Sequence, residues 1–209
     1  MSSSSVLTDE SRLSWFDRQV YKLESFLNLV SGIVIFFLVL LAVANVLGRK
    51  FLASPVPGYV DWTEQFMVVF AFLGLSYCQR EGGHIRMDIV VTALRGRLLW
   101  LAEFLSVLFM LILTTALIYG TYYHFDRSFD LNSPMWSRDS TIDISLPIWP
   151  GKAIVAFSMT LLWVRLALQL WAYGRAIRLN PERPVAVPLP EDPAEQAMHE
   201  AKVVEDRNG

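Results

Sequence analysis

Few side chains in this 209-residue chain have the type and spacing that chemistry requires. His84 and Asp88 are four apart, a separation that puts two ligands on one helix face. A zinc-like centre needs three or four donors, and the sequence offers no obvious third, so ordering of a loop is the competing reading. His124 with Asp126 and Asp130 is equally sparse, and His199 lies in the far C-terminal stretch. Cys78 is the single cysteine, which excludes an internal disulfide and a thiol relay. Within its apolar run it reads as an inert buried thiol. No glycine-rich loop followed by Lys and Ser or Thr is present to cradle nucleotide phosphates. The expectation is a protein with no catalytic residue, no metal and no cofactor.

The remaining chemistry-bearing groups are charges inside apolar runs, where an ionised side chain is costly and needs a partner. Glu103 and Arg165 lie at matching depths in two such runs, which predicts a salt bridge between them. Arg165 reaching headgroups along its aliphatic stem, or both residues facing a partner subunit, are the alternatives. Arg49 and Glu64 form a second candidate pair, with Asn45 available to bond to the same cluster. Asp61 and Glu64 also have the spacing of a capping box, so Glu64 reads equally well as a helix-start residue.

The elements that position these residues are long and apolar. Hydrophobic residues make up 54% of the chain and charged ones 18%, against about a quarter charged in soluble domains; mean hydropathy is +0.38. The runs are uninterrupted rather than one-sided, and they lack the period-two alternation of a barrel. Spans are expected over about 23–47, 60–79, 98–122 and 148–171, each near the 20 or so residues that cross a bilayer. The second is the weakest. Its apolar centre is only Phe66–Cys78, extended by Tyr59, Trp62 and Tyr77 at interfacial levels. The fold class is therefore an all-α integral membrane protein with four transmembrane helices. No span contains a histidine, which argues against buried axial haem ligation.

Basic residues set orientation. Arg12, Arg18 and Lys22 precede the first span, Arg80, Arg86, Arg95 and Arg97 separate the second from the third, and Arg175, Arg178 and Arg183 follow the fourth. The other two loops hold fewer: Arg49 with Lys50, and Arg127 with Arg138 and Lys152. Both termini are expected in the cytoplasm, and nucleic-acid binding gains no separate support. Residues 1–22 form an N-terminal segment without the pattern of a cleaved signal. Leu13, Phe16, Val20, Leu23, Leu27 and Val30 recur at helical spacing, with Asp17, Arg18, Lys22 and Glu24 between them, which predicts an amphipathic interfacial helix turning into the first span. Met87–Leu94 has the makings of a second short interfacial helix. A membrane domain over 23–178 is followed by a tail over 179–209, where Pro181, Pro184, Pro188, Pro190 and Pro193 predict flexibility. No internal repeat of the kind found in many complete carriers is visible, and peripheral charges around featureless span centres suit anchoring or bracing.

Four stretches together resemble the small, DctQ-type membrane subunit of tripartite ATP-independent periplasmic (TRAP) transporters. They are A-N-V-L-G-R-K-F at Ala44–Phe51, W-T-E-Q-F at Trp62–Phe66, R-E-G-G-H-I-R-M-D at Arg80–Asp88 and S-L-P-I-W-P at Ser145–Pro150. The third loop is longer and more acidic than a compact member's, and the proline-rich tail adds length. The resemblance implies a non-catalytic scaffold in the bacterial inner membrane. It would brace a large polytopic membrane subunit that moves a small organic anion, usually with sodium, after a periplasmic substrate-binding protein has captured it. Its other surroundings would be membrane lipids, with no nucleic acid. Asn45, Arg49, Trp62 and Glu64 match the motif of the first two spans, and Gly83, His84, Arg86 and Asp88 the cytoplasmic one. The resemblance implies structural or interface roles for them. An autonomous carrier or channel, or the anchor of a redox enzyme, are the competing classes.

Overall fold

The computed structural model describes residues 12–80 and 97–179. These form helix α1 (Arg12–Phe51), α2 (Tyr59–Leu73), α3 (Leu75–Arg80), α4 (Arg97–Ser128) and α5 (Trp149–Leu179), with a 3-10 turn at Pro134–Trp136. The most extensive packing joins α4 to α5, while α1 lies mainly on α2, and α2 and α3 sit against α5. Trp100 and Val107 of α4 meet Leu162, Leu166, Ala172, Tyr173 and Ala176 of α5 in the buried apolar cluster. Ala172 and Ala176 are one turn apart, and small side chains at that spacing let two helices approach closely.

Three helices, α1, α4 and α5, are long and apolar enough to cross a membrane. The expected second span is divided: α2 has 15 residues and α3 six, with Gly74 between them. At 1.5 Å per residue α2 alone covers roughly 22 Å, short of a hydrocarbon core of about 30 Å. Gly74 keeps right-handed helical torsion angles, and the Cys78 amide donates to the Gly74 carbonyl at 3.0 Å. The chain therefore continues in a helical direction across the break.

α1 differs from its expected form. It is one helix of 40 residues, about 60 Å long, and its N-terminal part is continuous with the apolar part. Its polarity is inverted relative to a helix lying on water. Asp17 and Glu24 are fully buried, whereas Trp15, Phe16, Leu23 and Phe26 are exposed. Every seventh residue from Asp17 onward (Glu24, Ser31, Leu38 and Asn45) falls on the inward side, and all but Leu38 are polar and buried. A strict seven-residue repeat keeps one seam facing a partner helix. Here that seam carries polar groups, and the outward surface carries Leu29, Ile33, Phe36, Leu40, Val43 and Val46. An apolar surface of that extent belongs against lipid or protein.

The end of the bundle opposite the start of α1 and the end of α5 is closed by side chain-to-backbone bonds. Asn45 Oδ1 accepts from the Val56 amide at 3.1 Å, fixing the α1–α2 loop. Asp61 Oδ2 accepts from the Ile144 amide at 3.0 Å, so it clamps the long α4–α5 connection instead of capping its own helix. The expected capping-box role is thus replaced by a tertiary one, and α2 starts at Gly58 without a side-chain cap. Gly58 has φ +66°, and a Cβ there would lie 2.4 Å from Ile144 Cδ1. Both the backbone sign and the space demand glycine.

The α4–α5 connection is itself folded. Asp130 pairs with Arg138 at 3.1 Å and Asp139 with Lys152 at 3.0 Å, and the Ser128 hydroxyl donates to Asp139 at 2.6 Å. Trp149 Nε1 donates to the Met135 carbonyl at 3.1 Å, and Phe129 packs edge-on against the Trp149 ring. The Asn132 amide and then Arg138 hold the Asp130 carboxyl below the ordinary carboxylate range. The Ser128 hydroxyl and then Lys152 do the same for Asp139.

Two outcomes are expected. Gly58→Ala will lower thermal stability by about 1 kcal/mol or more, and adding Ile144→Ala will restore only the steric part; a wild-type melting curve for Gly58→Ala would refute this account. Because both carboxyls titrate lower folded than unfolded, their contribution is complete above a pH of about 4. It is lost as pH falls through their lowered folded values. Tryptophan fluorescence of the loop, followed downward from pH 7, should stay flat through pH 5 and change only below the usual carboxylate range. Asp139→Asn should abolish part of that change.

Candidate functional site: a buried ion-pair cluster

Four charged side chains meet where α1, α3 and α5 converge. Arg165 of α5 has no solvent exposure. Its Nε donates to Glu24 Oε1 at 2.8 Å, one terminal nitrogen donates to Glu24 Oε2, and the other reaches Asp17 Oδ1 at 2.5 Å. The contact with Glu24 is a two-pronged fork, which fixes direction as well as charge. Arg80 of α3 donates to the second Asp17 oxygen at 3.0 Å, and its guanidinium lies 3.9 Å from the centre of the Tyr21 ring. Tyr21 in turn stacks on Tyr77, with ring centres 6.3 Å apart.

Neutral polar groups complete the cluster. Ser76 donates to Glu24 Oε1 at 2.5 Å. Gln79 Nε2 donates to Gln169 Oε1 at 2.9 Å, and Gln169 Nε2 returns a longer bond to the Gln79 carbonyl at 3.3 Å. Asp17, Glu24, Arg80 and Arg165 carry two negative and two positive charges, so the formal sum is zero. That balance matters because an unmatched charge in so dry a place costs several kcal/mol, about 3–5 when one partner of a buried pair is removed.

Local sequence explains the convergence. Asp17 and Glu24 are seven apart and so fall on one side of α1. Ser76, Gln79 and Arg80 are three and four apart on α3, and Arg165 and Gln169 are four apart on α5. The break at Gly74 falls one residue before α3. A Cβ at Gly74 would lie 3.7 Å from Asn28 Oδ1 and 3.9 Å from Ser31 Oγ, so α1 passes close to the break. Ser31 Oγ donates to the Phe70 carbonyl at 3.0 Å just before it.

The expected Glu103–Arg165 pair does not form. All three donating nitrogens of Arg165 are directed to Glu24 and Asp17, and Glu103 is buried on α4. Matching depth in the third and fourth spans points to Glu103, whereas the true partners lie on α1, whose polar residues face inward instead of toward water. The seven-residue recurrence of polar positions in α1 was the signal that could have found them. Arg49 and Glu64 are also not joined by an ion pair among the described residues; both are exposed, as is Trp62. Asn45 is buried and serves the loop rather than Arg49. Gly83, His84, Arg86 and Asp88 lie outside the described residues, as does the Met87–Leu94 segment. Among the described residues no three metal-binding side chains come together. The cluster can therefore hold helices in register, and its paired charges leave no acid, base or nucleophile directed at a substrate cavity.

Residues 38–174 match the family described as tripartite ATP-independent periplasmic transporters, DctQ component. The chain is a DctQ-family protein. The match covers most of the helical bundle, from the apolar half of α1 to the C-terminal part of α5, and it includes Arg80 and Arg165 but begins after Asp17 and Glu24. No curated protein matches the chain. Membership makes this DctQ protein the small, non-enzymatic component of a TRAP transporter.

The cluster makes a sharp forecast for this DctQ chain. Arg165→Leu leaves two buried carboxylates facing one guanidinium and should lower stability by about 3–5 kcal/mol. The triple change Arg165→Met, Asp17→Asn and Glu24→Gln removes two negative charges along with one positive, leaving Arg80 as the lone charge. The quadruple change that adds Arg80→Met should recover most of the loss, because no charge of the cluster remains. Thermal melting in detergent measures all three, and a quadruple variant no more stable than Arg165→Leu would overturn the charge-balance argument.

Proposed function

We propose that this DctQ chain is the static brace of its transporter. The observation that supports the reading best is the buried, charge-balanced cluster, which ties α1, α3 and α5 together at one end of the bundle. A body locked by forked ion pairs resists the sliding and rocking that a substrate-moving element needs. In this reading α2 and α3 together complete a fourth span across the Gly74 break, both termini are cytoplasmic, and the chain sits in the bacterial inner membrane. Its exposed α1 and α4 surfaces, with Phe36 and Phe37 on one and Phe109 and Leu113 on the other, are shared between lipid and a large polytopic subunit. That subunit carries the substrate, a small organic anion delivered by a periplasmic binding protein, driven by an ion gradient.

Arg49, Trp62 and Glu64 are among the residues of the family-like motifs left exposed at the end of the bundle away from the ion-pair cluster. A salt bridge or hydrogen bond from Arg49 or Glu64 to the large subunit gives these charges the partner that the described residues do not supply. Gly83, His84, Arg86 and Asp88 are assigned interface or ordering roles on the strength of the family motif.

Affinity purification from native membranes should return a much larger polytopic subunit. Uptake of an organic acid into vesicles should require both membrane components and the soluble binding protein. Replacing Arg49 and Glu64 by Ala together should reduce co-purification while leaving the melting temperature of the isolated chain nearly unchanged. Robust uptake by vesicles holding this chain alone would sink the brace reading.

A further inference from the structure

An open groove of about 570 Å³ runs between α4 and α5 near the C-terminal end of α5, lined by Phe104, Trp171, Gly174, Arg175 and Arg178. Trp171, Gly174, Arg175 and Arg178 are three, one and three residues apart, so they share one side of α5. Trp171, Arg175 and Arg178 are exposed. Gly174 forms the floor: a Cβ there would reach only to ordinary contact with Phe104 Cε2, at 3.8 Å.

The order of these groups along the helix is informative. Trp171 lies four residues deeper than Arg175, about 6 Å along the axis, and seven deeper than Arg178, about 10 Å. The apolar walls thus sit toward the centre of the span Trp149–Arg178, and the guanidiniums sit where it ends. A phospholipid has the same order, with acyl chain inward and phosphate at the boundary. Guanidinium groups match phosphate oxygens with paired N–H donors. Two of them in one groove favour a lipid with net negative charge over one whose phosphate is cancelled by its own cation.

We infer that this groove is a binding site for an anionic phospholipid, with the phosphate at Arg175 and Arg178 and one acyl chain lying over Gly174 between Trp171 and Phe104. The site lies on the α4–α5 side, away from the fork of Arg165, so it is separate from the cluster that stiffens the bundle. A bound lipid there adds a seam between α4 and α5 and fixes the height of α5 in the membrane.

The full chain, purified in non-ionic detergent, can be titrated with phosphatidylglycerol or phosphatidylcholine and read by native mass spectrometry. Phosphatidylglycerol should be retained preferentially. Arg178→Gln should weaken its retention about fivefold, and a further Arg175→Gln about fivefold more. Gly174→Leu, which keeps both charges and fills the floor, should weaken both lipids alike. Arg127→Gln, at the far end of α4, should change nothing, and melting curves identify any variant that fails to fold. Equal retention of the two lipids by the native chain would overturn the inference. So would unchanged phosphatidylglycerol retention in a folded Arg178→Gln or Gly174→Leu variant. In the assembled transporter, a photo-crosslinker at Trp171 should capture lipid; capture of the large subunit instead would also overturn it.

Discussion

A guanidinium with no exposure to solvent must have its charge matched from within the fold, and Arg165 is matched by a fork to Glu24 and a bond to Asp17. Much else at that end follows from this constraint. Asp17 would be overcommitted to one cation without Arg80, and Arg80 is delivered by α3, whose start depends on the break at Gly74. Glu24 has a third bond from Ser76 on the same short helix. Three helices, α1, α3 and α5, are thereby held to one geometry. Such a network gains little net stability over an apolar core of the same shape. What it supplies is uniqueness: α1 has a single register in which both carboxylates reach their partners, whereas an all-leucine seam would tolerate slippage.

The opposite end is closed by different means, and the difference is physical. There the loops are short of regular structure, so unsatisfied backbone groups rather than charges are the problem. Asn45 and Asp61 each take one backbone amide, from Val56 and Ile144. Gly58 lets Ile144 settle directly on the helix start. The Asp130–Arg138 and Asp139–Lys152 pairs are partly solvated, and exposed pairs contribute little individually. Together with Trp149 and Phe129 they give the α4–α5 connection a defined shape. Between the two ends, polar bonds across helices include Ser31 to the Phe70 carbonyl and Trp163 to Thr115.

What the sequence disclosed depended on which signal was local. The first, third and fourth apolar runs were legible because length and hydropathy alone specify them. The weaker second run was correctly singled out, but the split at Gly74 was not, since nothing in a single glycine distinguishes a helix break from close packing. The capping-box spacing of Asp61 and Glu64 is a local pattern, and it carries no trace of the Ile144 amide that Asp61 accepts from some eighty residues away. Arg165 was recognised as a buried charge in need of a partner, and the partner was sought in the wrong helix. The rule that polar residues face outward belongs to water. Applied to α1, it turned the buried stripe of Asp17, Glu24, Ser31 and Asn45 into an interfacial face. The family, by contrast, was legible from short ordered motifs, although the ion-pair cluster reaches beyond them to Asp17 and Glu24.

The charge balance also separates two kinds of membrane polar site. A transport site must let a charge enter and leave, so its protein groups must tolerate at least two states of occupancy. Among the described residues the carboxylates of the cluster are matched by the fixed cations Arg165 and Arg80, with Tyr21, Ser76 and the Gln79–Gln169 pair around them. Opening it to admit a substrate anion would expose Glu24 and Asp17, which repel that anion, before it released Arg165. The same feature that makes the cluster expensive to break therefore disqualifies it as a pathway and suits it to a fixed support. In the brace proposed for this DctQ subunit, stiffness is the useful property, because a moving neighbour can only do work against a surface that does not yield.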